Sequence, residues 1–137
     1  MRKRGGDRFN VHSAGSQPSG KVNPEALAAL GRKNYPTGGL RSKGWDEFSG
    51  AAAPSLDYVI TVCGNAKGET CPVWISAPVQ AHWGIADPSD GESADYDRAL
   101  TYLEARIKAF LKLPLEKMSN SEAREALNAI GNMEGAA

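Results

Sequence analysis

The chain is poor in several things at once. Its 137 residues carry 16 basic and 16 acidic side chains, so there is no net charge. Without a basic excess, a nucleic-acid partner is disfavoured, because phosphate neutralisation draws on a surplus of Lys and Arg. No apolar run approaches the about 20 residues that cross a bilayer, and the opening residues do not read as a secretory leader. There are two cysteines, Cys63 and Cys71. Two are too few for the disulfide framework of a small secreted domain. In a chain without a leader they point to a reducing cytoplasm, where a pair is more often redox-active, catalytic or metal-binding than structural. Internal repeats and long low-complexity tracts are absent too. What remains is the size and composition of one compact domain with a real core.

What is present gathers around residues 57–88, DYVITVCGNAKGETCPVWISAPVQAHWGIADP. Asp57-Tyr58-Val59-Ile60-Thr61-Val62 is short, apolar and β-branched, the composition of a buried parallel strand. Cys63 then falls at the strand's C-terminal mouth, where open α/β sheets place their chemistry. Gly64 to Thr70 contains two glycines and can change shape cheaply. Cys71 follows it. Two thiols on either side of a pliable loop can be free or bonded if their Cα atoms come within about 7 Å. A dithiol relay fits that pattern. Two rival readings stay open: an inert thiol pair, and a zinc site drawn from His12, Cys63, Cys71 and His82. The cysteine spacing is wider than the C-x2–4-C of structural zinc sites, which weighs against zinc. His82 reads as a packed residue near a strand end, and Asp87 can simply start a turn with Pro88.

Along the chain, Met1 to Gly6 (MRKRGG) reads either as a solvated tail or as the last turn of a helix that begins upstream. Arg8 to Ala14 reads as a strand. Gly15 to Lys21 nearly matches a nucleotide phosphate loop, but Val22 stands where Ser or Thr should hold magnesium, and Pro18 removes a backbone donor. A plain turn is the better reading. Asn23-Pro24-Glu25 starts a helix with a cap, a first-position proline and an acid. That helix carries Leu27 and Leu30 inward and stops near Gly31. Ser42 is placed to cap a short helix burying Trp45 and Phe48. Val79 to Ile85 predicts a strand. Ser93 to Lys112 predicts a long helix, with Tyr96, Leu100, Leu103, Ile107, Phe110 and Leu111 on one face. Pro114 ends it. Ser119-Asn120-Ser121-Glu122 offers a capping box for a last helix through Ile130, stopped by Gly131 and placed at the periphery.

Four segments together resemble the thiol-coupled arsenate reductases of the low-molecular-weight protein tyrosine phosphatase fold: Ser13 to Pro24, Leu40 to Phe48, Asp57 to Trp74, and His82 to Pro88. The resemblance implies an α/β fold, a small parallel sheet flanked by helices. It places the family domain at 1–113 and leaves 114–137 as a peripheral helix and tail. It also implies roles. Asp87 is the general acid that protonates a departing oxygen. Cys63 attacks an enzyme–arsenic adduct and releases arsenite. Cys71 then displaces the resulting bond, leaving a Cys63–Cys71 disulfide for thioredoxin or glutaredoxin. No cofactor is needed.

The chain departs from the family in its opening strand, most of the first helix, and the Cys-x5-Arg loop that carries the first nucleophile. Six positions after Cys63 stands Glu69, and six after Cys71 stands Ala77. Gly64 also replaces an aspartate frequent in relatives. The expectation is that Met1 is internal to a longer gene product, and that these residues alone do not turn over arsenate. The missing strand would lie between Phe9–Ala14 and Asp57–Val62. Its loss removes about four buried apolar side chains at about 1.5–3 kcal/mol each and leaves strand edges open to self-association.

Overall fold

The computed structural model describes residues 8–14, 20–44, 56–63, 79–85, 88 and 91–135, and of Cys63 the backbone only. Helix α1 spans Pro24–Arg32. Asn23 caps it, its side-chain oxygen accepting from the Glu25 amide at 2.9 Å, and Pro24 occupies the first turn, where no amide is missed. Strand β1 is Tyr58–Cys63 and strand β2 is Val79–Ile85. Helix α2 covers Ser93–Leu111, a single 3-10 turn covers Leu115–Lys117, and helix α3 covers Asn120–Gly131.

β1 and β2 run parallel. Parallel neighbours need a crossover of a dozen or more residues, and residues 64–78 supply that length. Tyr58 pairs with Val79, Ile60 with Ala81 and Thr61 with His82, but Cys63 pairs with Ile85. β2 therefore takes three steps where β1 takes two, a bulge in β2 around Trp83 and Gly84. The sheet's alternation breaks there: Trp83, Gly84 and Ile85 are buried in succession.

The core lies on the face that carries Tyr58, Ile60, Val79, Ala81 and Trp83. Phe110 is its hub. Its ring lies 5.3 Å from that of Phe9 and meets Tyr58 and Trp83 edge-on at 5.8 and 6.0 Å, within the range where aromatic pairs add to area burial. Across β2, α3 contributes Ala123, Leu127 and Ile130. The Trp83 indole N–H donates to the Leu127 carbonyl at 2.8 Å, so the large ring is buried with its polar atom satisfied. On the other flank α1 is tied to α2. Arg32 Nη2 reaches Asp97 at 2.8 Å, and the Tyr35 hydroxyl donates to Glu104, which also holds Lys33.

The α/β class and the small parallel sheet agree with the sequence reading. So do the cap of α1, the span of β2 and the start of α2 at Ser93. Three local expectations change. Residues 8–14 form no strand. Their first two residues are held elsewhere: Arg8 Nη1 donates to the Leu111 carbonyl at the end of α2, and Phe9 stacks on Phe110. Ser42 turns its hydroxyl to the Gly20 amide at 3.2 Å, while the helix expected at Trp45 and Phe48 lies outside the described residues. The last helix is not peripheral. Leu127 is fully buried and Leu115, Ala123 and Ile130 share the core, because β2 presents a tryptophan that needs a helix over it. Among the described residues no helix is long and apolar enough to cross a membrane.

Candidate functional site

The described part of the expected site is the C-terminal end of the two strands. Cys63 is the last residue of β1, and its Cα is opposite Ile85, the last residue of β2. Asp87 follows Ile85 by two positions. Cys71, Asp87 and the Cys63 side chain lie outside the described residues, so the structure fixes one wall of the mouth: the ends of two strands and what braces them.

One brace is a hydrogen bond across the ladder. Thr61 Oγ1 and His82 Nδ1 are joined on the rung just before the bulge. With the imidazole neutral and its proton on Nε2, the Thr61 hydroxyl is the donor. His82 is thus hydrogen-bonded and half-buried as expected, but it stands in the middle of β2 and not near its end. His12, the other histidine, is exposed. Among the described residues no three His, Cys, Asp or Glu side chains gather as a metal-binding group.

A second brace comes from α3. Gly131 lies so close to β2 that an added Cβ would stand 2.4 Å from the His82 carbonyl oxygen and 3.1 Å from Trp83. The helix can seat against the strand only because that side chain is missing.

Beyond Ile85 opens a cavity of about 160 Å³, lined by Ile85, Pro88, Gly91, Asp95, Ala99 and Tyr102, with Arg98 and Gly135 at its sides. Its floor is the first turns of α2. There Glu92 and Asp95 form a capping box, with the Glu92 amide donating to Asp95 at 2.9 Å. That amide first, and Arg98 second, hold the Asp95 carboxyl below its ordinary range. A Cβ on Gly91 would stand 2.5 Å from Asp95 Oδ2, so a larger residue there would push the Asp95 side chain aside.

Sequence reasoning missed two features. The Asp95 box was in principle visible, since an acid stands three positions after Glu92. Arg106 was not. It points inward from α2 with no exposure, while Leu100, Leu103, Ile107 and Leu111 of the expected face are half-buried and Tyr96 and Phe110 are buried.

The family profile described as "Low molecular weight phosphotyrosine protein phosphatase" matches residues 1–123. A protein named arsenate reductase from Bacillus cereus is 34% identical over 107 residues, which cover 78% of this chain and 76% of that protein. A second, from another strain of Bacillus cereus, is 32% identical over 108 residues, covering 79% and 77%. A third, from Bacillus anthracis, is 32% identical over 105 residues, covering 77% and 75%. A short parallel sheet, a cysteine closing its first strand and these matches along most of the chain lead to one assignment. The chain belongs to the low molecular weight phosphotyrosine protein phosphatase family, in its arsenate reductase group.

Proposed function

We propose that this chain serves the reduction of arsenate to arsenite through a cysteine relay, with Cys63 and Cys71 as its redox pair and Asp87 as the general acid. One observation supports the reading above the others. The β1–β2 register sets Cys63 opposite Ile85, and Asp87 is two residues further on in the sequence, which supports a shared mouth for thiol and carboxyl. In the proposed sequence, a first thiolate forms a sulfur–arsenic bond, and Asp87 gives a proton to the oxygen that leaves. The Cys63 thiolate then attacks that first sulfur. A sulfur–sulfur bond forms, the sulfur–arsenic bond breaks, and its electron pair stays on arsenic, which departs as arsenite. The Cys71 thiolate attacks Cys63, expelling the first thiolate and leaving a Cys63–Cys71 disulfide. A dithiol protein of the thioredoxin or glutaredoxin type returns two electrons to that bond. The setting would be a reducing cytoplasm.

The first nucleophile needs a phosphate loop of the Cys-x5-Arg kind, and neither cysteine of these 137 residues begins one. We therefore assign to these residues the later, disulfide-exchanging half of the scheme. This favours a second reading for the chain on its own: a dithiol module that exchanges disulfides or captures arsenite as a dithiolate. Among the described residues no strand lies along the free edge of β1, and Val62 beside it is 42% exposed. Such an edge supports self-association. A concentration-independent melt of a monomer would oppose it.

The deciding experiment is mass spectrometry of protein oxidised mildly and digested without reduction. A Cys63–Cys71 cross-link that reduced thioredoxin or glutaredoxin removes is the expected result. If no cross-link forms, both relay readings are wrong. Steady arsenite release by these residues alone would refute the restriction to the later half.

A further inference from the structure

Thr61 and His82 meet on the sheet face turned away from the core. Tyr58, Ile60, Val79, Ala81 and Trp83 share the core face, so alternation gives the other face to Val59, Thr61, Gln80 and His82. Position 63 follows Thr61 by two. The irregular step after the Thr61–His82 rung lies in β2, so β1 keeps its period and position 63 belongs to the face of Thr61 and His82. Two rises along β1 and one step across to β2 put the Cα atoms of Cys63 and His82 about 8 Å apart. A ring side chain reaches across a diagonal of that size.

Among the described residues His82 is the one titratable side chain that the two strands give to this face. Tyr58 is on the core face, and Asp57 stands before β1, at the end away from Cys63. From α3 the residue seated on His82 is Gly131, which brings no charge. Beyond Ile85, Asp95 and Arg98 neutralise one another at 2.9 Å. Asp87, in the same mouth under the proposed scheme, disfavours a thiolate when ionised. In the crossover, Lys67 and Glu69 are of opposite sign. The Thr61 hydroxyl holds the ring at Nδ1, and Nε2 is enclosed from solvent. A hydroxyl donates to a neutral imidazole and accepts from a charged one, so Thr61 stays paired in either state.

We propose that His82 is the base that takes the Cys63 thiol proton, with Thr61 as the residue that orients it. The proton leaves Cys63 Sγ for His82 Nε2. One S–H bond breaks, one N–H bond forms, and a thiolate–imidazolium pair results with no change in total charge. Nucleophile, base and orienting group then stand in the order that activates a thiol. What the thiolate does next, its attack on the first sulfur, rests on the cysteine relay proposed above.

The test follows alkylation of Cys63 by iodoacetamide across about pH 5–10, a range that brackets an ordinary thiol at about 8.5. Mass spectrometry counts the Cys63 and Cys71 peptides separately. In the native protein the Cys63 rate should rise with a midpoint at least about one unit below the ordinary value. His82→Gln keeps hydrogen-bonding groups but binds no proton, and should return the midpoint to about 8.5. Thr61→Val should move it part of the way, and Thr61→Ser should leave it in place. A second measurement spares β2: in Cys63→Ser, the His82 ring followed by NMR should titrate about one unit lower, with no thiolate to hold the imidazolium. A native midpoint at the ordinary value, a midpoint unmoved by His82→Gln, or a His82 titration unchanged in Cys63→Ser would each overturn the proposal. A native midpoint in Thr61→Val would overturn the orienting role. Oxidative cross-linking keeps this inference apart from the relay. A Cys63–Cys71 bond with an unshifted Cys63 midpoint overturns the role of His82 alone, and a shifted midpoint without that bond overturns the relay and supports the base.

Discussion

Replacing Gly131 by alanine sets two effects of opposite sign against each other. On helix propensity alone, Gly→Ala in α3 stabilises by at most about 0.5–1 kcal/mol. The new methyl, however, would stand 2.4 Å from the His82 carbonyl oxygen. That atom is backbone in a paired strand and cannot swing aside as a flexible side chain would. Relief requires α3 to move off β2, which stretches the Trp83–Leu127 hydrogen bond and opens the packing of Leu127 and Ile130. Overpacking of this kind costs about 1–3 kcal/mol. The clash therefore outweighs the propensity gain, and a net loss of about 1–2 kcal/mol is expected. For a chain of this length that is a fall in Tm of about 3–10 °C. Circular dichroism melts of the two proteins at equal concentration measure it. A Gly131→Ala protein as stable as the parent, or more so, would refute the close approach of α3 to β2.

Leu127→Ala removes a fully buried side chain beneath Trp83 and should cost about 2–5 kcal/mol in urea unfolding. Thr61→Val deletes the hydroxyl that meets His82 and should cost about 0.5–1.5 kcal/mol, while Thr61→Ser keeps most of the stability; equal losses in both would show that the hydrogen bond contributes nothing. Asp95 and Glu122 both have carboxyls held below their ordinary values of 3.8 and 4.5 by backbone amides in their capping boxes. Groups lowered on folding contribute stability above those ordinary values and lose it as pH falls through and below them. The double variant Asp95→Asn, Glu122→Gln should therefore show a shallower acid limb of Tm against pH, and an unchanged limb would count against both boxes.

The parts of the fold legible in the sequence are those decided within a few residues. Asn23-Pro24-Glu25 announces α1 because the cap, the proline and the acid all act within one turn. Val79 to Ile85 is legible because its β-branched and aromatic run is bounded by proline on one side and Asp87-Pro88 on the other. Residues 8–14 carry a strand-like pattern too, but a strand exists only with a neighbour to pair with, and Phe9 finds a better surface on Phe110. Arg106 was hidden for a similar reason. Helical period counts it as one polar position among apolar ones, and its contact with the Met133 carbonyl comes from 27 residues further along the chain. The cysteine pair was legible as chemistry, but spacing alone does not fix where two sulfurs lie.

The buried last helix bears most directly on function. In an unbroken ladder the Thr61–His82 rung would set Gly84 opposite Cys63; the bulge sets Ile85 there instead. Asp87 then follows the rung of the cysteine by two residues of sequence in place of three. The irregular step begins at His82 and Trp83, the two residues that Gly131 touches, and Trp83 is tied to Leu127 as well. So α3 holds β2 where its register shifts, and the mouth is coupled to a helix that contributes no reacting atom. Under this coupling Gly131→Ala changes the rate at which iodoacetamide alkylates Cys63 well below the Tm, with the native fold intact by circular dichroism. Arg124→Ala, on the exposed side of α3, leaves that rate alone. An unchanged rate in Gly131→Ala, with its Tm lowered, would mean that α3 stabilises the core without setting the geometry at Cys63.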